Sequence, residues 1–307
     1  MKHSLKITAL LLGMFFLAQI IGIGVTWSYN SYQKQNNQQG IPDFIAPPEG
    51  TNPWSMLISI GLAIFLGVII MFTLMKFGAE TFLRIWFFLV IIIAISLTLN
   101  ALLIHLNLGN LSVNYKFLIA ILIALPLAII KIFVRNIKVH NFTELLVYPG
   151  VSALFVPLLN IWSVVVLLIL ISLYDMYAVW HSGIMQKMAK YQINQVKIFA
   201  GFFVPYMRKK DRELIRNSKS KSALKDKKIK VNLAILGGGD IVFPIILAGV
   251  VFIQFGFLSA LIISVGALLG LTGLFYISQK GKFYPAMPFI SLGCFIALGL
   301  VYLISLI

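Results

Sequence analysis

The sequence predicts an all-α, polytopic membrane protein with nine transmembrane helices, the N-terminus cytoplasmic and the C-terminus outside. Three observations carry that expectation. Of the 307 residues 60% are hydrophobic, apolar runs of helix-spanning length recur from end to end, and the basic residues sort to one side when those runs are threaded through a membrane. Only 11% of residues are charged and the mean hydropathy is +0.96, whereas soluble domains carry about 25% charged residues. A soluble globular domain and a disordered chain are both excluded. A membrane β-barrel would show alternation in segments of about ten residues, and none is present.

At about 20 residues per crossing, spans are expected near 7–27, 55–75, 84–105, 117–134, 143–159, 161–180, 231–253, 257–278 and 284–307. The first follows Lys2 and Lys6 in the manner of a signal peptide, but no small-residue cleavage site succeeds it. It is expected to be retained, with 28–54 as an external loop. The run from 143 to 180 is too long for one crossing and divides at Leu159-Asn160, just beyond Pro157. In the eighth span, Gly266 and Gly270 suit close helix packing. The single cysteine, Cys294, lies in an apolar run and is expected to pack there.

The even alternation of these spans puts Lys2, Lys6, Lys76, Arg84, Lys131, Arg135 and Lys138 on one side. Fourteen bases between 187 and 230 join them, with Lys280 and Lys282, so that 23 of 25 lie together and only Lys34 and Lys116 oppose them. A miscounted helix would scramble this sorting, which marks the rich side as cytoplasmic. The loop 181–230 is read as a topology determinant resting on anionic headgroups of the lipid bilayer, not as a nucleic-acid site. Its first part, Ile184 to Phe203, mixes apolar residues with lysines and suits a helix lying along the interface.

Nine acids remain to be placed. Asp43, Glu49, Glu80, Glu144, Asp211, Glu213 and Asp226 fall in loops or at span boundaries, and Asp175 and Asp240 fall within spans. A carboxylate at membrane depth costs at least about 2.5–3.5 kcal/mol, and such residues are functional by default. Asp175 is expected about 8 Å from the cytoplasmic end of the sixth span and Asp240 about 14 Å from that of the seventh, at 1.5 Å per residue. The two spans are consecutive and antiparallel, so the carboxylates can meet. Gly237-Gly238-Gly239 directly before Asp240 permits close backbone approach. Tyr174 beside Asp175 is placed to offer a phenolic hydrogen bond, and the ninth span opens with Pro285-Ala286-Met287-Pro288 on the same side. Two prolines there leave backbone groups unpaired, tolerable only within protein or beside a water-filled cavity.

Two carboxylates a few ångströms apart cannot both ionise easily and titrate as a unit. Aspartic proteases use this arrangement: one carboxylate deprotonates the attacking water while the other protonates the scissile carbonyl. No cofactor or metal is called for. A zinc protease lacks its HExxH and a rhomboid-type enzyme its GxSG. The four histidines, His3, His105, His140 and His181, read as interfacial or loop residues. The rival from another class is a proton- or cation-coupled transporter using the two acids as its ion site, though no repeat relates the two halves.

These residues carry a resemblance to a family, the intramembrane aspartyl proteases of the presenilin and signal peptide peptidase type. Tyr174-Asp175 resembles its YD motif, Gly237-Gly238-Gly239-Asp240 fits its GxGD motif, and Pro285-Ala286-Met287 resembles its PAL motif with Met for Leu. The motifs fall in order on the sixth, seventh and ninth spans. The resemblance implies that Asp175 and Asp240 are the catalytic dyad, and that Tyr174, Leu236, Gly237, Gly238, Gly239, Pro285, Ala286 and Met287 shape the site and engage substrate. It makes 1–160 a scaffold of five helices and 161–307 the catalytic half. Substrates would be transmembrane helices of other proteins, which must unwind locally to expose a peptide bond; the alternating segment Lys228 to Leu233 would pair with them as an added strand. A cytoplasmic N-terminus resembles presenilins, and the short chain, with no long acidic or disordered insertion in the loop, resembles microbial, archaeal-type members. Oligomeric state is not encoded in these motifs.

Overall fold

A computed structural model of the chain describes residues 5–37, 40–42, 52–106, 112–134, 136–181, 191, 200–206, 232–278 and 284–306. Among them stand nine helices in the expected order. These are α1 (Leu5–Asn36), α2 (Pro53–Phe77), α3 (Glu80–Leu103), α4 (Val113–Ile129), α5 (Ile137–Phe155), α6 (Ile161–Trp180), α7 (Gly239–Phe255), α8 (Phe257–Ile277) and α9 (Met287–Ser305). A π-turn, Ile130–Val134, ends α4, and a 3-10 turn, Val156–Leu158, ends α5. Two strands, β1 (Gly201–Tyr206) and β2 (Asn232–Gly237), pair antiparallel between α6 and α7. Eight of the helices are long and apolar enough to cross a membrane, and α7, at 17 residues, is the short ninth. The chain is an integral, multi-pass membrane protein.

Local chemistry sets most of the boundaries. The division expected at Leu159-Asn160 is a capping box: Asn160 Oδ1 accepts from the Ser163 N–H at 2.8 Å while Ser163 Oγ accepts from the Asn160 N–H at 2.9 Å. Asn52 caps α2 and Asn136 caps α5, each accepting the N–H two residues on. The cap at Asn136 starts α5 six residues before the expected 143, so His140 and Asn141 are helical and not in a loop. The first helix likewise overruns its expected end at 27. Ser28 and Tyr29 face α3, where Ser28 Oγ donates to Ala101 O and Tyr29 Oη donates to Leu97 O at 2.6 Å, and these bonds keep the polar turns helical to Asn36.

The seventh span departs most from expectation. Residues 232–237 are strand, and the helix starts at Gly239 instead of Val231. Three consecutive glycines each cost a helix roughly 1 kcal/mol against alanine, while Leu233-Ala-Ile-Leu236 alternates its buried side chains, Ala234 and Leu236 inward and Ile235 outward. The period-2 pattern therefore wins up to Gly237. The helix expected along the interface over 184–203 lies for the most part outside the described residues, and its last three residues belong to β1.

Helix α7 is the axis of the bundle, enclosed by α1, α5, α6, α8 and α9, and its residues from Pro244 to Phe252 are buried. By contrast α2 packs mainly on α3 and α6 and, among the described residues, buries just Leu57 and Met71. Large apolar side chains such as Ile58, Phe65 and Leu122 project outward as a lipid-facing belt. A close crossing joins α8 to α9, where the backbones of Gly266 and Gly293 touch and Gly270 meets Phe289; Cys294 packs beside it, fully buried. A Cβ at Gly293 would overlap the Gly266 carbonyl, so Gly293→Leu is expected to force the helices apart and cost about 1–3 kcal/mol. Thermal unfolding in detergent would show this as a lowered midpoint, with Gly299→Leu, where nothing lies within 4 Å, as the neutral control.

Candidate active site

The sequence brings Asp240 to its place through β2. The strand ends at Gly237, the Gly238 N–H donates to Ala200 O at 3.1 Å, and the chain turns into α7 with Asp240 in the first turn. Asp240 therefore sits at a helix start and not nine residues into a span, which is where a continuous helix from Val231 would have put it. The Gly237 N–H donates to its carboxylate. Glycine is needed here for approach. A Cβ at Gly237 would lie 3.2 Å from Asp240 Oδ2, and one at Gly238 would lie 2.9 Å from the Tyr148 ring.

Asp175 comes from the opposite direction, one turn before the end of α6, and is buried at 5% exposure. The start of α9 is aimed at it: the Met287 N–H donates to Asp175 Oδ2 at 3.1 Å, and the Ala286 N–H also donates. Backbone N–H groups at a helix N-terminus are unpaired within the helix and favour a negative group. One turn deeper, Ser172 Oγ donates to Ser291 Oγ at 2.9 Å and locks α6 to α9. The fold thus brings the two aspartates within electrostatic reach of each other, Asp175 buried and Asp240 partly exposed.

The remaining residues expected at the site divide. Leu236, Gly238, Pro285 and Met287 are buried around the pair. Tyr174, in contrast, is 44% exposed, and among the described residues no hydrogen bond joins it to Asp175; on a helix, adjacent residues point about 100° apart, so a tyrosine beside a buried aspartate faces outward.

Other residues at the site escaped the sequence. Glu144, expected at a span boundary, is fully buried on α5 and is a third acid at membrane depth. Its partner is Lys131 from the π-turn after α4, with Nζ 2.8 Å from Oε1. His140, expected at an interface or in a loop, is also buried, its Nε2 3.5 Å from Glu144 Oε1 and 2.8 Å from Gly201 O. From α1, the fully buried Gln19 donates through Nε2 to Ile241 O at 3.1 Å, next to Asp240. A cavity of about 270 Å³ behind Gly238 and Gly239 is bordered by Lys131, Glu144, Tyr148 and Val242. Two carboxylates within electrostatic reach of each other, one beside a strand end and one beside a helix start, form a constellation suited to general acid–base activation of water.

A family model described as signal-peptide peptidase, presenilin aspartyl protease matches residues 39–307. The fold is similar to two solved structures of a presenilin family intramembrane aspartate protease, in C222 and P2 space groups. The TM-scores are 0.55 and 0.58 at 18% and 17% identity, covering 95% and 96% of this chain and 99% and 96% of those chains. No curated protein matches the chain in sequence.

The buried ion pair gives a direct test of how the site is supported. Removing one partner strands a charge in a low-dielectric interior, so Lys131→Met is expected to cost about 3–5 kcal/mol. The double variant Lys131→Met/Glu144→Leu, which removes both charges, should recover most of that loss in a thermal melt.

Proposed function

Because the chain belongs to the signal-peptide peptidase, presenilin aspartyl protease family, we propose that it is an intramembrane aspartic endopeptidase in which Asp175 and Asp240 hydrolyse peptide bonds within transmembrane helices of other proteins. This reading is supported by Asp175, held by N–H groups of the α9 N-terminus, lying within electrostatic reach of Asp240 at the end of β2.

The mechanism follows from two carboxylates sharing one proton. The ionised member takes a proton from a water held between them as that water attacks the scissile carbonyl; the protonated member gives its proton to the carbonyl oxygen. The tetrahedral diol then collapses as a proton passes to the amide nitrogen, and the dyad regains its starting charge. The N–H groups of Ala286 and Met287 fix the orientation of Asp175, while Gly237 lets the Asp240 carboxylate lie against the strand end and Gly238 lets the Tyr148 ring approach behind it. Pro285 and Leu236 pack beneath these groups, Gly239 starts α7, and Tyr174 faces the side from which a membrane-embedded helix arrives.

A helical peptide bond is shielded by its own hydrogen bonding, so the substrate must be extended where it is cut. β2 offers a template for this. β1 occupies one of its edges, and Ile235 presents its N–H and C=O to the other, where no described group bonds them. We read that edge as the place where substrate adds as a strand; of the segment 228–233 expected for this role, 232 and 233 belong to β2 and the rest lies outside the described residues. Helices α1–α5 act as scaffold and α6–α9 as the catalytic half, with the dyad toward the cytoplasmic face, as the sorting of basic residues implies. The family match does not favour the transporter reading of the paired acids.

Incubating the purified full chain with a single-span substrate in detergent should yield cleavage. Asp175→Asn or Asp240→Asn is expected to lower the rate at least about a hundredfold without lowering the melting temperature. Cleavage that persists at the wild-type rate in either variant would refute the assignment.

A further inference from the structure

We propose that Asn141 and His140, on the first turns of α5, are positioning residues that hold Asp240 in register by closing the outer edge of β1. The proposal rests on the reading of Asp240 as catalytic.

The register of the sheet shows what must be held. The Gly238 N–H bonds to Ala200 O, and Phe202 and Val204 then follow as the residues of β1 that exchange hydrogen bonds with β2. Alternation turns the backbone groups of Gly201, Phe203 and Pro205 away from β2, toward α5. Gly201 and Phe203 meet specific answers there. Asn141 takes both groups of Phe203: Oδ1 accepts its N–H at 2.9 Å and Nδ2 donates to its carbonyl at 2.8 Å. Among short side chains only an asparagine amide both donates and accepts in one plane, which is the pattern a neighbouring strand would present. His140 takes the Gly201 carbonyl at 2.8 Å through Nε2. Its second neighbour, Glu144 Oε1, only accepts as well, so Nε2 carries the hydrogen. The His140 ring also stacks on Phe203, centroids 4.7 Å apart. Pro205 has no N–H to leave unpaired.

The outer edge of β1 is thus finished by side chains, which work as a third strand. A two-stranded ribbon on its own is marginally stable at best, and β1 and β2 are separated in sequence by the 25 residues 207–231, whose closure entropy opposes the pairing. The clamp on β1 therefore governs how fully β2 is ordered, and the end of β2 sets Asp240. Lys131 and Glu144 fix the orientation of His140 from behind. The same closure leaves the β2 edge as the side of the sheet open to substrate.

The test uses the full chain in detergent with a single-span substrate, measuring kcat, KM and amide hydrogen exchange together. Asn141→Leu keeps the branching and heavy-atom count of the side chain and removes both bonds. It should lower kcat about tenfold or more, with KM moving less than kcat, and accelerate exchange at Gly238 about tenfold while α8 amides stay unchanged. Asn141→Gln, which keeps a donor and an acceptor, should restore part of the kcat loss. His140→Leu, which spares Asn141, should act in the same direction and serves if Asn141→Leu does not fold. A kcat within twofold of wild type together with unaltered exchange at Gly238 would overturn the proposal, as would a kcat loss that only tracks the unfolded fraction. If the wild type itself does not cleave, the protease reading falls, while the exchange contrast at Gly238 still decides whether Asn141 holds the β2 end.

Discussion

At membrane depth there is no water to bond an unpaired N–H or C=O, and every such group must find a partner in the protein. The structure depends on that constraint because it breaks a helix where a helix would be safest. An uninterrupted seventh span from Val231 would satisfy its own backbone and carry Asp240 on its flank. Instead the chain runs as a strand to Gly237, turns through Gly238, and starts its helix beneath the aspartate. The break gives the site an extended edge and a carboxylate at a helix start, and it leaves backbone groups that other elements have to answer.

Most of the polar chemistry around the strand pair is that answer. β1 bonds one side of β2 and takes the Gly238 N–H through Ala200. Asn141 and His140 complete the far side of β1. On α7, Pro244 cannot donate to the carbonyl of Asp240, and Gln19 reaches from α1 to the next carbonyl, Ile241. Lys131 and Glu144 neutralise each other where a single charge would be prohibitive. None of these groups belongs to α6 or α9; they come from β1, α1, α5 and the π-turn after α4.

The sequence made the long-range plan legible because the plan is written in local composition. Nine apolar runs, the lysines and arginines between them, and the turn at Asn160 each declare themselves within a window of about twenty residues. Asp175 and Asp240 were conspicuous as acids in apolar runs. Glu144 was not, since its span begins near polar residues and its lysine lies on another helix. His140 and Asn141 looked like loop residues because their value is in bonds to a strand about 60 residues on. The start of α7 was missed because hydropathy counts Leu233-Ala-Ile-Leu236 as helix-compatible, while the choice of strand depends on β1 being there to pair. What escaped was always a pairing between distant elements.

The two aspartates derive their positions from different sources, and this asymmetry follows from the fold. Asp175 stands on a full-length helix, and its carboxylate is fixed by backbone N–H groups at the head of another, with Ser172 and Ser291 bonded one turn below. That arrangement is made of continuous helices and exists before anything binds. Asp240 depends on a short strand whose second edge receives no bond from a described group, so adding a substrate strand there would extend the sheet and complete the order around this aspartate. On the proposed protease reading, binding energy from the extended part of a substrate would be expressed at Asp240 instead of merely tightening the ground-state complex. A helix that fails to unwind would supply no such strand, so the edge proposed to align the two aspartates would also discriminate against an intact transmembrane helix.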